Sequence, residues 1–462
     1  MISGYIISNY RFLFTTLLFL CFVSGQIVYT EANQSSPTSI KEFQKWAKDS
    51  PRSAEAHYYL GSAYFSQDNI PLSINAYRKA ITLNPSYAQA YNNLGLAYVK
   101  QNKISDGIRS YQESISADPD FFAAYFNLGK TYCLINEFGS AINVFKQALH
   151  LKPNDYSTCN YLGIAYSRNG QPQKAIEAHH RSILIDPNHS VSHFNLGLAY
   201  YYSNQTQSAI KSYQRALVLD PDEVKFYNNL GLAYYQQKDY AEAIKAYQSA
   251  IALESDYIAG HANLAIAYTD QTELDCAVDS WQTVIRLSPE HKTAYLALGD
   301  LYSKNGQFQL AKDIYQVALS NGIDAAEVYF KLGMNYLRWN KTNSAIVFYQ
   351  KSIDLAPNSA AAYYGLGVAY SREQKNDSAI SAFEDAIEIK PDLSKAYYNL
   401  ACLYISQNQS VKAMKILKHS IDLDPELASL ATTDSDLSNL RESSEFQEMI
   451  EKAHLSLKTE KY

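Results

Sequence analysis

Histidines are the residues in this sequence that come nearest to a chemical site. His179, His180, His189 and His193 lie close together, and His189 and His193 have the spacing that places two metal ligands on one helix face. No carboxylate or cysteine completes a ligand set at a matching spacing. We therefore interpret these histidines as packing or surface residues, and the sequence predicts no metal site and no cofactor.

Other reactive patterns are weak. The five cysteines have neither disulfide nor metal spacing, and no glycine-rich phosphate loop, nucleophile motif or carboxylate pair stands out. The sequence thus predicts a protein that is not an enzyme and has no small-molecule substrate.

Asparagines form a second polar set, and they recur at multiples of 34 residues. An amide both donates and accepts hydrogen bonds, so a row of amides can pair with the backbone of an extended peptide whatever its side chains. Alternatively, these amides bond only locally within the fold. The candidate protein-binding residues, which we call the asparagine ladder, are Asn93, Asn127, Asn195, Asn229, Asn263 and Asn399.

The same period of 34 residues runs without insertion through eleven units, residues 54–427. We number the positions of each repeat from 1, beginning at Ala54, so that the ladder occupies position 6. Position 11 is always Tyr, position 8 is Gly in nine repeats, position 20 is Ala in nine, and position 32 is Pro in nine. Apolar residues at helical spacing predict two helices in each repeat. The small residues mark the helix crossing, and the proline ends the second helix.

These residues resemble the tetratricopeptide repeat family, whose pattern is Leu-Gly-x-x-Tyr in the first helix, Ala-x-x-x-Phe/Tyr in the second, and a following Pro. The resemblance implies an all-α, right-handed solenoid whose first helices line a concave groove that holds protein segments. The ladder and the stretch 90–95 are also similar to the repeat region of O-linked N-acetylglucosamine transferases. Residues 428–462 are too few for a catalytic domain of that kind.

Two further repeat positions bear on groove binding. Position 5 is often aromatic, which predicts either a flat apolar groove floor or packing inside the repeats; these residues are Tyr58, Phe126, Phe194, Phe330, Tyr364 and Tyr398. Position 9, where a clamp for a C-terminal carboxylate needs Asn, is aliphatic in six repeats. The sequence therefore favours sequence-tolerant binding of neutral or apolar segments.

The flanks of the array predict caps and one joint. Residues 39–53 copy half a repeat, and residues 428–462 contain an apolar stripe, Phe446, Met449, Ile450 and Ala453, after a capping signal at Ser444. In the eighth repeat Ile323 replaces the proline and follows Gly322, so we expect a change of angle or a soft joint there.

Residues 1–25 are interpreted as a signal peptide or membrane anchor, and residues 26–38 as a linker. The apolar run 12–23 is too short to span a bilayer by itself but suits the core of a secretory signal. We expect an exported protein, periplasmic, secreted or membrane-anchored; the alternative is a cytoplasmic one. Contact with a membrane is expected only through this segment, if it is not cleaved.

Composition limits the class of partner. A net charge of −6, without a basic stripe, argues against nucleic acid. The leading interpretation is a scaffold that holds an extended peptide of a protein partner in its groove. The alternatives are a structural component or assembly factor of an envelope complex, and a substrate-recruiting partner of a glycosyltransferase-type enzyme. Self-association is left open.

Overall fold

The computed structural model describes residues 39–459. All regular secondary structure in this range is helical. The chain divides into two compact units, the first ending at Asp239 and the second beginning at Tyr240. The division falls inside the sixth repeat, between its two helices. Five complete repeats therefore lie in unit 1 and five in unit 2.

Unit 1 contains twelve described helices. They are α1 Ile40–Asp49, α2 Ala54–Ser66, α3 Ile70–Leu83, α4 Ala88–Lys100, α5 Ile104–Ala117, α6 Phe122–Leu134, α7 Phe138–Leu151, α8 Tyr156–Arg168, α9 Pro172–Ile185, α10 Ser190–Tyr202, α11 Thr206–Leu219 and α12 Val224–Gln236.

Unit 2 contains thirteen α-helices in the described range and one 3-10 helix. They are α13 Tyr240–Leu253, α14 Ile258–Asp270, α15 Leu274–Leu287, α16 Lys292–Lys304, α17 Phe308–Ser320, α18 Ala325–Arg338, α19 Thr342–Leu355, α20 Ala360–Arg372, α21 Asn376–Ile389, α22 Ser394–Ser406, α23 Ser410–Leu423, α24 Leu427–Thr433, the 3-10 helix Ser435–Leu440, and α25 Ser444–Thr459. The predicted helix pairs, and with them the all-α solenoid fold, are confirmed.

In nine of the eleven repeats, the helix crossing depends on the glycine at position 8. A β-carbon added to Gly95 would lie 2.6 Å from the Tyr111 ring, and one added to Gly333 would lie 2.7 Å from the Tyr349 ring. Those rings, at position 24, are almost completely buried. The small residue therefore makes room for a large aromatic one, and the prediction that position 8 lies at a helix crossing is confirmed.

In eight of the eleven repeats, the tyrosine at position 11 joins the repeat to the one before it or, at Tyr64, to the N-terminal half-repeat. Its hydroxyl group bonds a polar side chain at position 25 of the preceding repeat, 20 residues earlier; for example, Gln214 Nε2 donates to Tyr234 Oη at 3.0 Å. A phenylalanine could not make this bond, which gives a physical reason for tyrosine at this place. The pairs are Gln44–Tyr64, Arg78–Tyr98, His180–Tyr200, Gln214–Tyr234, Gln248–Tyr268, Gln282–Tyr302, Gln350–Tyr370 and Glu384–Tyr404.

The turn after α17, where a joint is expected, is held by side chains. Gly322 has a left-handed backbone with φ 72°, and Ile323 is buried. Asn321 Nδ2 donates to Tyr295 Oη at 3.0 Å. Lys292 Nζ lies 3.3 Å from Asp324 and 2.5 Å from Glu327, so it ties the eighth repeat to the ninth. In place of the rigid proline, this turn is held by contacts within the eighth repeat and by one ion pair, Lys292–Glu327, to the ninth.

Caps lie at both ends of the described array. In α1, Ser39 and Glu42 form a capping box, and Trp46 stacks on Tyr59 with ring centroids 5.9 Å apart. At the other end, the stripe Phe446, Met449, Ile450 and Ala453 is buried, as its helical spacing predicts. The cap of α25 is Ser443 rather than Ser444, because the Ser443 hydroxyl accepts from Phe446 N at 3.2 Å.

Candidate functional site

Consecutive first helices touch one another along each unit. In unit 1 these contacts join α2 to α4, α4 to α6, α6 to α8 and α8 to α10; in unit 2 they join α16 to α18, α18 to α20 and α20 to α22. First helices are therefore closer together than second helices and form the inner side of each unit. We call this inner surface the first-helix wall.

The six ladder residues all lie on first helices at position 6. Asn195 is buried, with 7% of its surface exposed, whereas Asn93, Asn127, Asn229, Asn263 and Asn399 are half-buried. The register predicted from the repeat period is therefore present in the wall, and five of the six side chains keep some contact with solvent.

Four ladder amides bond the preceding repeat. Each donates Nδ2 to the residue 35 positions earlier, which is position 5 of the repeat before it. The bonds are Asn93 to Tyr58 Oη at 3.2 Å, Asn127 to Asn92 Oδ1 at 2.9 Å, Asn195 to Asn160 Oδ1 at 3.0 Å and Asn399 to Tyr364 Oη at 3.2 Å. A primary amide has two N–H groups, so each of these residues has a second donor beyond the bond to its neighbour.

Asn229 does not bond the preceding repeat, and the residue at position 5 of that repeat explains why. The residue 35 positions earlier is Phe194, which has no acceptor atom. Asn229 instead donates to the backbone oxygen of Lys225 in its own helix at 2.8 Å. The type of residue at position 5 therefore decides whether a ladder amide links two repeats.

Aromatic residues at position 5 serve packing to different degrees. Phe194 is 2% exposed and stacks on Phe226 with centroids 4.6 Å apart, and Tyr398 is 4% exposed. Tyr58, Phe126, Phe330 and Tyr364 are half-buried. Phe194 and Tyr398 therefore contribute to the core rather than to a groove floor.

A tyrosine pair that was not selected from the sequence gives the wall its most accessible aromatic surface. Tyr201 and Tyr202 end α10 at positions 12 and 13, with their rings 5.6 Å apart in a T-shaped contact. Tyr202 is 53% exposed, yet burial of its hydroxyl group raises its pKa to about 12, with Tyr201 adding to this effect and Arg168 opposing it. Much of Tyr202 is therefore accessible at the end of a first helix, although neighbouring residues partly desolvate its hydroxyl group. Three successive tyrosines, residues 200–202, are the signal that could have identified this place.

Charged side chains replace ladder and aliphatic residues at a few wall positions. In unit 1, Lys130 occupies position 9 and is 9% exposed, with Nζ 5.6 Å from the Phe126 centroid and 5.3 Å from that of Tyr161. In unit 2, Lys331 Nζ lies 2.5 Å from Asp300, which also accepts from Tyr315 Oη at 2.8 Å. At position 6 of the ninth repeat, the wall of unit 2 therefore presents an ion pair in place of a ladder amide.

The histidines have separate local partners. His179 is buried at position 24, and its Nδ1 lies 3.0 Å from Asn160 Oδ1. His189 Nδ1 lies 2.7 Å from Ser192 Oγ, and His193 Nε2 lies 3.0 Å from Pro187 O. Between residues 39 and 457, no three His, Cys, Asp or Glu side chains are placed to hold a metal ion together.

A cleft of about 540 Å³ lies at the C-terminal cap, away from the first-helix wall, and its lining includes Arg441, Phe446, Ile450 and His454. Because it is formed by the capping helices, it involves none of the ladder residues.

Among the described helices, none is both long and apolar enough to cross a membrane. The apolar run 12–23 lies outside the described residues.

Comparison with known proteins gives matches to one family over most of the array. Models described as tetratricopeptide repeat match residues 124–155, 156–221, 194–257, 263–326, 326–359, 348–381 and 371–432, and one described as TPR repeat matches residues 61–102 and 95–135. No curated protein sequence matches the chain.

Several solved structures are similar in fold to parts of the chain. A crystal structure of MamA is 27% identical over 35% of this chain and 95% of its own, with a TM-score of 0.34. YrrB, a TPR protein with an unusual peptide-binding site, is 20% identical over 40% of this chain and 96% of its own, with a TM-score of 0.36. The Cut9–Hcn1 structure is 13% identical over 90% of this chain and 92% of its own, with a TM-score of 0.38.

The repeat matches support a role in protein–protein interaction, which is the coarse function of such arrays. They run between residues 61 and 432 and agree with the helix pairs of both units. The chain belongs to the tetratricopeptide repeat family.

Proposed function

We propose that this chain is a non-catalytic scaffold that holds an extended segment of a partner protein against the first-helix wall of unit 1. The observation that carries the proposal is Tyr202, a large aromatic residue of first helix α10 that is 53% exposed. A rigid aromatic residue in a concave surface can bury much apolar area on a ligand at little cost in conformational entropy.

The ladder supplies the polar part of this site. Asn93 and Asn127 each use one N–H group for the preceding repeat, so the second N–H group is the one that would pair with a peptide carbonyl. Peptide carbonyls are the same in every sequence. The wall therefore favours neutral, partly apolar segments and has little requirement for particular side chains.

Photo-crosslinking at Tyr202 would identify the bound segment. A benzophenone amino acid at position 202 is expected to capture a protein segment in cells, which mass spectrometry then locates. A synthetic peptide of that segment is titrated against the purified full chain. Tyr202→Ala is expected to weaken binding at least about tenfold, the loss of one well-placed aromatic anchor.

Matched variants separate the wall from the rest of the surface. Asn229→Ala removes a ladder amide without breaking a bond between repeats, because Asn229 donates only to Lys225 O among the bonds observed. Leu310→Ala removes an exposed apolar side chain from the second helix α17 and is expected to leave binding unchanged. Equal affinities of the wild-type chain, Tyr202→Ala and Asn229→Ala for the peptide would refute the proposal.

We also propose that the protein is exported, on the basis of the apolar run 12–23. An exported chain could equally serve as a component of an envelope assembly. N-terminal sequencing of the mature protein tests export. A chain that begins near Gln26, or an intact chain in the membrane fraction, would support it, whereas an intact Met1 in a soluble cytosolic fraction would contradict it.

A further inference from the structure

Two exposed aliphatic side chains lie among cations on the second helices of unit 1. Leu184 is 83% exposed and Val218 is 71% exposed, and both occupy position 29, on α9 and α11 of consecutive repeats. Arg181 and Arg215 hold position 26, one turn earlier, and both are exposed. Lys211 adds a third cation, and the single carboxylate on these two helices is Glu177. We call Arg181, Leu184, Lys211, Arg215 and Val218 the basic patch.

Helix α21, in unit 2, has the opposite character. Its carboxylates are Asp377, Glu384, Asp385 and Glu388, and it contains neither Lys nor Arg, although Lys375 and Lys390 flank it. Burial raises the pKa of Asp385, and the negative charges of Glu388 and Glu384 raise it further. Like charges three and four residues apart on a helix repel one another, so this helix is less stable than it would be beside cations.

The basic patch and α21 differ in charge at the same repeat positions. Positions 26 and 29 hold Arg and an aliphatic residue in the fourth and fifth repeats, but Asp385 and Glu388 in the tenth. Ile389, at the end of α21, is 36% exposed and offers an apolar contact next to the carboxylates.

We propose that α21 of one chain docks on the basic patch of a second copy. Docking places arginines beside the repelling carboxylates, removes Leu184 and Val218 from water, and leaves the first-helix wall of both copies free. The inference therefore goes beyond peptide binding and does not depend on it.

This contact joins two different surfaces, so each chain keeps one patch and one acidic helix available. Assembly by such a heterologous interface continues until it closes on itself or forms an open array. Association therefore increases with protein concentration, and it weakens with salt because its charged groups are exposed.

Charge exchange tests the contact. Sedimentation equilibrium of the purified full chain is measured for the wild type, for Arg181→Glu with Arg215→Glu, for Asp385→Lys with Glu388→Lys, and for all four changes together. A control, Lys79→Glu with Arg109→Glu, makes the same change in net charge on exposed sites of α3 and α5. Circular dichroism checks that helicity is kept.

We expect the wild type and the control to associate. The dissociation constant should rise at least about tenfold in the arginine variant and in the carboxylate variant. It should be restored in the fourfold variant, because opposite charges then face each other again. A wild-type chain that stays monomeric at every concentration would overturn the proposal. So would a control that loses association as strongly as the patch variant, or a fourfold variant that remains dissociated.

Discussion

At the scale of single residues, the turn between the two helices has the same backbone conformation in every repeat. Position 15 has a φ between 57° and 76° in all eleven repeats. Asn, Asp or Gly, which tolerate this left-handed region, fill it in most of them. Lys238, Thr272 and Gln374 are the exceptions, and the β-branched side chain of Thr272 suits the conformation least.

Replacement of Thr272 should therefore stabilise the chain. We expect Thr272→Asn to raise the free energy of unfolding by about 1 kcal/mol, because asparagine accepts a φ of 62° with less steric strain. The reverse change, Asn102→Thr, should lower it by a similar amount. Urea unfolding followed by circular dichroism measures both. A Thr272→Asn chain no more stable than the wild type would show that the turn is not strained.

His179 gives stability a dependence on pH. Burial lowers its pKa to about 3 in the folded chain, against an ordinary value of 6.5. The unfolded chain therefore binds the proton first as the pH falls below about 6.5, and stability decreases towards pH 3, by about 2 kcal/mol between pH 6.5 and pH 5.

Substitution of His179 should reduce this dependence. Phe145 holds the same repeat position, so His179→Phe is expected to fit, and Asn160 Oδ1 keeps the bond from Asn195. Urea midpoints at pH 7.5 and pH 5.0 should differ less in the variant than in the wild type. Burial also lowers the pKa of His189 and of His291, so part of the dependence stays. If the urea midpoints of the wild type and of His179→Phe changed equally with pH, His179 would not be a source of the pH dependence.

At the scale of elements, one helix pair depends on the absence of a single methyl group. Gly333→Ala is expected to destabilise the pair α18–α19 by about 1–3 kcal/mol, because the added β-carbon would lie 2.7 Å from the buried Tyr349 ring. Gly139, on α7, has no neighbour within 4 Å of its β-carbon position, so Gly139→Ala should be neutral or stabilise by about 0.5 kcal/mol. Chemical unfolding compares them, and equal losses of stability would show that crowding at the crossing is not the cause.

At the scale of the whole molecule, each repeat contacts mainly its sequence neighbours, so damage at one end should stay local. Phe446→Ala removes a side chain that is 3% exposed in the C-terminal cap and should cost about 3–5 kcal/mol there. Hydrogen exchange should increase in α22 to α25 and stay unchanged in α2 to α5. Increased exchange along both units would show that the array unfolds as one cooperative body.

The sequence by itself determined the number of repeats, the helix pairs and the register of the ladder. An exact period of 34 residues places equivalent residues at equivalent points of every repeat, so contacts such as that of Gly95 with Tyr111 follow from one pattern. The caps were predictable for the same reason, since Phe446 and Ile450 follow the helical spacing of an apolar face.

Only the tertiary structure decided which of these residues face a ligand and which face a neighbouring repeat. Asn195 and Asn229 have the same repeat position, yet one links two repeats and the other bonds its own helix, because the partner comes from a residue 35 positions away. Tyr202 stands out for a similar reason. Its exposure depends on which residues of its own and the neighbouring repeats lie beside it, such as Tyr201 and Arg168, and a local pattern does not contain that geometry.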